Sequence, residues 1–195
     1  MTNIKKIIFN IKSRKIIEIS KIILKEKYHE FEKYIYLFYD DKKKYTEEIF
    51  KHKEVFGNNT DNTNIYAVLK KFAVYYSLGV LYYREDIFDK EAEWNRAAEM
   101  FDILFQEILT QEVILEILRK CFFTDRRYST ELFFDFISEV LEANNLKMYF
   151  LDDGSELFLF FVLKKDVRIK YGNFSEFLLN NGKKTENLIY FIGKQ

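Results

Sequence analysis

Seven consecutive apolar residues, Leu157 to Leu163 (LFLFFVL), limit what this chain can fold into more than any other feature. Successive residues of a strand point to opposite faces of a sheet, so a run without a polar alternate has two faces to bury and cannot line a sheet that is open to water on one side. A second apolar stretch at 146–151 precedes it, and Asp152, Asp153, Gly154 and Ser155 stand between the two. The Asp-Gly pair is a strong hairpin signal, so the spacing predicts a β-hairpin over 146–163. A short helix after Ser175, ending at Gly182, then leads to a third strand at 187–192. One layer over this sheet is expected from helices after Asp89, and the other from the N-terminal helices, a second copy of the chain or a partner.

Upstream of residue 146 the period is helical. From Ile4 to Tyr39 the apolar positions Ile4, Ile7, Ile8, Ile11, Ile16, Ile19, Ile23, Tyr28, Phe31, Ile35 and Phe38 step mainly by three and four. That spacing predicts two or three amphipathic helical pieces with isoleucines on one face and lysines on the other. Asp40 and Asp41 with three lysines make a polar break, a further helix carries Ile49, Phe50 and Phe56, and Gly57 supplies its C-terminal cap. The loop GNNTDNTN at 57–64 is the expected boundary between a basic helical segment, 1–56, and an α+β body, 64–195. Within the body Asn64 is the expected cap of a helix ending near Gly79, Asp89 opens a helix bearing Trp94 to Ile108, Thr110 opens another, and Ser129 or Thr130 a last one that Asn144 and Asn145 end. Not one proline interrupts these patterns. The fold class is therefore α+β, with the N-terminal two-thirds mostly helical and packed on a small antiparallel sheet.

The formal net charge is zero, but the charge is unevenly spread. Residues 1–53 hold 14 basic and 8 acidic side chains, residues 84–160 hold 8 and 18, and residues 161–195 hold 7 and 3. An acidic middle of this kind bears on partners and on association rate rather than on fold. The basic N-terminus suits an anionic membrane surface or a nucleic-acid backbone, yet Glu18, Glu26, Glu30 and Glu32 stand among its lysines as on an ordinary solvated helix. Heavy use of Lys, Ile, Asn, Phe and Tyr fits an AT-rich bacterial or phage genome, so lysine abundance alone does not point to nucleic acid.

Catalytic patterns are wanting. Cys121 is the only cysteine, which rules out an intrachain disulfide and leads to the expectation of a reducing, cytoplasmic compartment. Its apolar neighbours make it a core thiol, remote in sequence from His29 and His52. Those two histidines form no metal-binding pair, and no phosphate-cradling glycine loop or nucleophile elbow occurs, so neither metal nor cofactor is expected. No apolar run reaches the ~20 residues of a membrane span. An enzyme would need carboxylates, tyrosines and Arg126 or Arg127 to converge in a cleft. Two acidic clusters stand out instead: Glu85, Asp86 and Asp89 with Glu91 and Glu93, where helix capping accounts for part of the charge, and Asp152, Asp153 and Glu156, where turn formation does.

The segment 148–166, MYFLDDGSELFLFFVLKKD, resembles the C-terminal hairpin of bacterial domains of the toxin-immunity type, and the resemblance extends over 65–166, including the helix entry from Glu91 to Trp94. It implies a small cytoplasmic protein that neutralises a toxin by direct contact. Nuclease toxins grip phosphates with basic surfaces, which an acidic surface attracts quickly. The expected contacts are Glu85, Asp86, Asp89, Asp152, Asp153 and Glu156. The alternative is a phage or mobile-element protein that inhibits a host defence complex, or a regulatory adaptor that binds through its N-terminal helices. A three-stranded sheet with open edges also leads to the expectation of a homodimer.

Overall fold

The acidic hairpin is present where the spacing placed it, and the rest of the sheet assembles around it. The computed structural model describes residues 3–57, 64–83, 110–112, 114–115, 138–153, 155–167, 172–174 and 189–192. Within them the chain forms two compact units, Met1–Leu78 and Gly79–Gln195.

The first unit is helical: α1 (Asn3–Leu24), a 3-10 turn (Lys25–Lys27), α2 (Tyr28–Asp40), α3 (Lys42–Lys51), α4 (Lys53–Phe56) and α5 (Ile65–Tyr75). Its ends follow from its capping residues. Asp41 lies in extended backbone between α2 and α3, and its Oδ1 accepts the Lys44 N–H at 3.1 Å, which satisfies one of the orphan donors of a helix start. Asn64 does the same for α5 by accepting from the Tyr66 N–H at 2.9 Å. Gly57 ends α4 at φ +69° and ψ −178°, backbone that is almost exclusive to glycine.

An aromatic cluster holds this unit together. Phe72 on α5 lies 5.2 Å from the Phe31 ring of α2, 6.2 Å from Tyr34 and 6.4 Å from Phe56 of α4, and Tyr34 meets Phe56 edge-on at 5.0 Å. These offset and edge contacts add to area burial because ring quadrupoles favour them. The helix Ile65–Tyr75 thus packs with the N-terminal helices, and the compact units part after Leu78 instead of within 57–64. The physical reason is that Phe56 and Phe72, on either side of GNNTDNTN, belong to one aromatic core, whereas a boundary needs few contacts across it.

On α1 the pattern also resolves differently from the single isoleucine face expected. The step from Ile11 to Ile16 is five residues, which turns the helix by about 140° and carries the apolar positions to another side. The buried face is Phe9, Ser13, Ile16, Ile19, Ser20 and Ile23, with Phe9 stacked on Tyr36 at 4.6 Å. Ile7, Ile8 and Ile11 are 58%, 47% and 72% exposed.

The second unit contains a five-stranded sheet in the order β1-β3-β2-β5-β4, made of β1 (Val80–Tyr83), β2 (Leu146–Leu151), β3 (Leu157–Lys164), β4 (Gly172–Phe174) and β5 (Ile189–Ile192). The hairpin β2–β3 runs in the register Leu151↔Leu159 to Leu146↔Lys164, and β5 lies antiparallel on the other side of β2. Two strands are additions to the expected three: β1 pairs antiparallel with β3, and β4 pairs parallel with β5, so the sheet is mixed rather than wholly antiparallel. Both are edge strands of three or four residues, too short for an alternating pattern to reveal. Helical residues 138–143 lead into β2 through Asn145, whose φ of +59° is the left-handed turn expected of asparagine. The helices expected over 89–108, over most of 110–137 and after Ser175 lie outside the described residues.

Both faces of β3 are covered. Phe158, Phe160 and Val162 on one side and Leu159, Phe161 and Leu163 on the other are all 0–6% exposed, and Lys164 marks the exit. Facing pairs continue this across the hairpin, Phe150 with Phe160 at 5.6 Å and Tyr149 with Phe161 at 5.8 Å. β3 lies between two strands and is covered within one chain, while the short strands β1 and β4 form the two edges of the sheet.

β1 approaches β3 so closely that residue 79 has no room for a side chain. A Cβ on Gly79 would stand 2.6 Å from Leu159 Cδ1 and 2.8 Å from the Phe160 carbonyl oxygen, and the latter is backbone that cannot swing away. Gly79→Ala is expected to destabilise the protein by about 1–3 kcal/mol, as overpacking of a tight contact does. Urea unfolding followed by circular dichroism measures this, and an unchanged midpoint would contradict the close approach.

Candidate protein-contact surface

The hairpin tip shows what the acidic turn is made of. Asp153 Oδ1 accepts the Ser155 N–H at 3.1 Å, Ser155 Oγ donates to the Leu157 carbonyl at 3.3 Å, and the Leu157 N–H lies 3.4 Å from Ser155 Oγ. Asp153 and Ser155 are therefore turn-forming residues, their side chains bonded to backbone groups at the tip. Asp152 and Asp153 are half-buried, while Glu156 is exposed at the mouth of β3.

Register places β1, which precedes the second acidic segment in sequence, in relation to this tip. β1 runs antiparallel to β3, with Val80 opposite Phe160 and Tyr83 opposite Leu157. The chain leaves β1 at Tyr83, next to the residue that follows Glu156. Glu85 and Asp86 come two and three positions later in sequence; they and Asp89 lie outside the described residues. β5 also begins at this end, with Ile189 opposite Leu151.

The titratable groups of the helical unit tie helices to one another. Glu30 on α2 accepts from Tyr76 Oη at 2.6 Å and lies 2.6 Å from Lys27 Nζ, and that ammonium sits 4.5 Å from the centre of the Tyr76 ring. The Lys27 ammonium first, then the Tyr76 hydroxyl, hold the Glu30 carboxyl below its usual range, and the same bond to Glu30 pushes Tyr76 up to about 12. Glu48 of α3 reaches Lys33 of α2 at 3.0 Å and Lys51 at 3.3 Å, and its carboxyl is lowered chiefly by Lys33. His52 lies between Glu48 and Glu54, at 3.4 and 3.2 Å. Exposed pairs of this kind fix geometry more than they stabilise. Burial raises Tyr45 and Tyr34 above the ordinary phenol value.

Among the described residues no group of His, Cys, Asp and Glu side chains could hold a metal ion, and no helix is long and apolar enough to cross a membrane. His29 is exposed beside the Tyr28 ring, whereas Cys121, Arg126 and Arg127 lie outside the described residues. The surface feature that sequence reasoning missed is the outward isoleucine stripe of α1, and its signal was the five-residue step after Ile11. Comparison with protein-family models, with curated proteins and with solved structures finds no match to this chain.

Proposed function

We propose that the protein is a non-enzymatic binding protein of the cytoplasm that neutralises a toxin by contact, presenting the acidic end of its sheet to a basic partner. The observation that carries this reading is the pairing of Tyr83 with Leu157. It brings the end of β1, two residues before Glu85 in sequence, alongside the turn that holds Asp152, Asp153 and Glu156. The excess of acidic residues over 84–160 and the resemblance of the hairpin to toxin-immunity domains support the same reading. Clustered carboxylates on a rigid hairpin speed encounter with a cationic surface, an effect on rate that added salt weakens.

The test is protection of a bacterial host that expresses the product of the gene beside this one. Full-length chain is expected to restore growth, and neutralising both clusters (Glu85→Gln, Asp86→Asn, Asp152→Asn, Asp153→Asn, Glu156→Gln) to slow association by roughly tenfold or more. Asn at 153 keeps an oxygen for the Ser155 N–H, so the turn survives. Protection and association rate both unaltered in the neutralised variant would overturn the proposal.

A further inference from the structure

The outward face of the first two turns of α1 is apolar, although its opposite face already packs in the helical unit. Ile7, Ile8 and Ile11 lie on neighbouring turns at 47–72% exposure, while Phe9, Ser13 and Ile16 on the reverse side are buried. Isolated exposed isoleucines are ordinary on a protein surface, but three on one stripe make a patch that water does not favour. Along α1 the charges that flank it in sequence are of one sign. Five basic residues (Lys5, Lys6, Lys12, Arg14 and Lys15) precede the first acidic residue, Glu18. Lys12 and Arg14 are exposed. Arg14 has an ion pair with Glu18 at 3.1 Å, which offsets one charge and leaves the stretch cationic. The carboxylates that make the N-terminus look like an ordinary solvated helix all lie beyond this stripe.

We infer that this face of α1 docks on an anionic lipid bilayer, with Ile7, Ile8 and Ile11 entering the headgroup and acyl boundary while Lys12 and the cationic stretch around it meet lipid phosphates and carboxylates. A second copy of the chain fits less well. Pairing two such stripes would crowd two sets of cations with no carboxylate before Glu18 to offset them. Nucleic acid fits less well too, because its phosphates would leave the isoleucines facing a polar surface. An interfacial helix needs both halves of this arrangement, apolar side chains to insert and cations to be held by lipid charge. Attraction near an anionic surface strengthens binding about fivefold per cation, and salt screens it.

The full chain is expected to co-sediment with vesicles rich in phosphatidylserine, and to do so far less with pure phosphatidylcholine vesicles or in high salt. Ile7→Asn/Ile11→Asn should reduce the partition by roughly tenfold or more, since each insertion lost removes a buried side chain. Both positions are exposed, so circular dichroism should stay unchanged. Lys12→Gln should weaken binding to the anionic vesicles only. Failure to bind phosphatidylserine vesicles would overturn the inference, as would binding that the isoleucine variant leaves intact. A dimer in sedimentation without lipid that the isoleucine variant converts to monomer would assign the stripe to a second copy instead, and duplex DNA that competes fully with the vesicles would assign the face to nucleic acid.

Discussion

Phe160→Ala and Phe161→Ala should each lower the free energy of unfolding by about 3–5 kcal/mol, the range for truncating a buried aromatic ring. The two residues are neighbours on β3 and therefore face opposite sides of the sheet. Phe160 is 0% exposed and Phe161 is 1% exposed. Each ring also meets a partner across the hairpin, Phe150 or Tyr149. In a sheet with one wet face, only one of these substitutions would be costly and the other would fall within about 1 kcal/mol. Equal and large losses, read from urea unfolding of the two variants, are thus the signature of a strand covered on both sides. One large and one small loss would refute the covered sheet.

Phe31→Ala should be comparably severe, at about 3–5 kcal/mol, but for the helical unit. Its ring is fully buried and touches Phe72 at 5.2 Å and Tyr34 at 6.0 Å. Phe72 carries the contact on to Tyr76 at 4.8 Å, so a cavity at residue 31 loosens the seat of α5 on α2. Amide hydrogen exchange should accelerate through Ile65–Tyr75 in this variant. Phe50→Ala is the control, because Phe50 is half exposed on α3 and its removal should change stability by about 0.5 kcal/mol or less. Loss of protection confined to α2, with α5 unchanged, would show that the aromatic cluster does not couple the two helices.

The hairpin was legible because its strand signal and its turn signal are both local. LFLFFVL states that two faces are buried, and Asp152 to Ser155 states where the chain turns, without reference to any distant residue. Caps were legible for the same reason: Gly57, Asn64 and Asn145 act on backbone within a few positions of themselves, whereas Asp41, read only as part of a polar break, proves to cap α3. The features that escaped are relational. Val80–Tyr83 is a strand because β3 offers it an open edge, and Gly79 is tolerated because that edge is close, yet nothing in four residues announces either. The α1 stripe escaped because steps of three and four were followed across a step of five, and because Phe9 and Ser13, which point inward, are not part of the isoleucine series. The carboxylates were legible as a surplus of charge, but that β1 ends beside the acidic turn rests on a register that only the fold supplies.

That register also fixes an order of events on the ribosome. β1 emerges first, but its partners on β3 come 74 to 80 residues later (Tyr83↔Leu157, Val80↔Phe160), whereas β2 and β3 are separated by a single turn. At synthesis rates of roughly 5–20 residues per second, β1 waits several seconds without a mate, while a hairpin closes in microseconds once both arms are out. The nascent chain therefore passes through a stage in which a greasy ribbon and its future neighbour are both present but unjoined, open to chaperones or to a neighbouring nascent chain until the two strands meet.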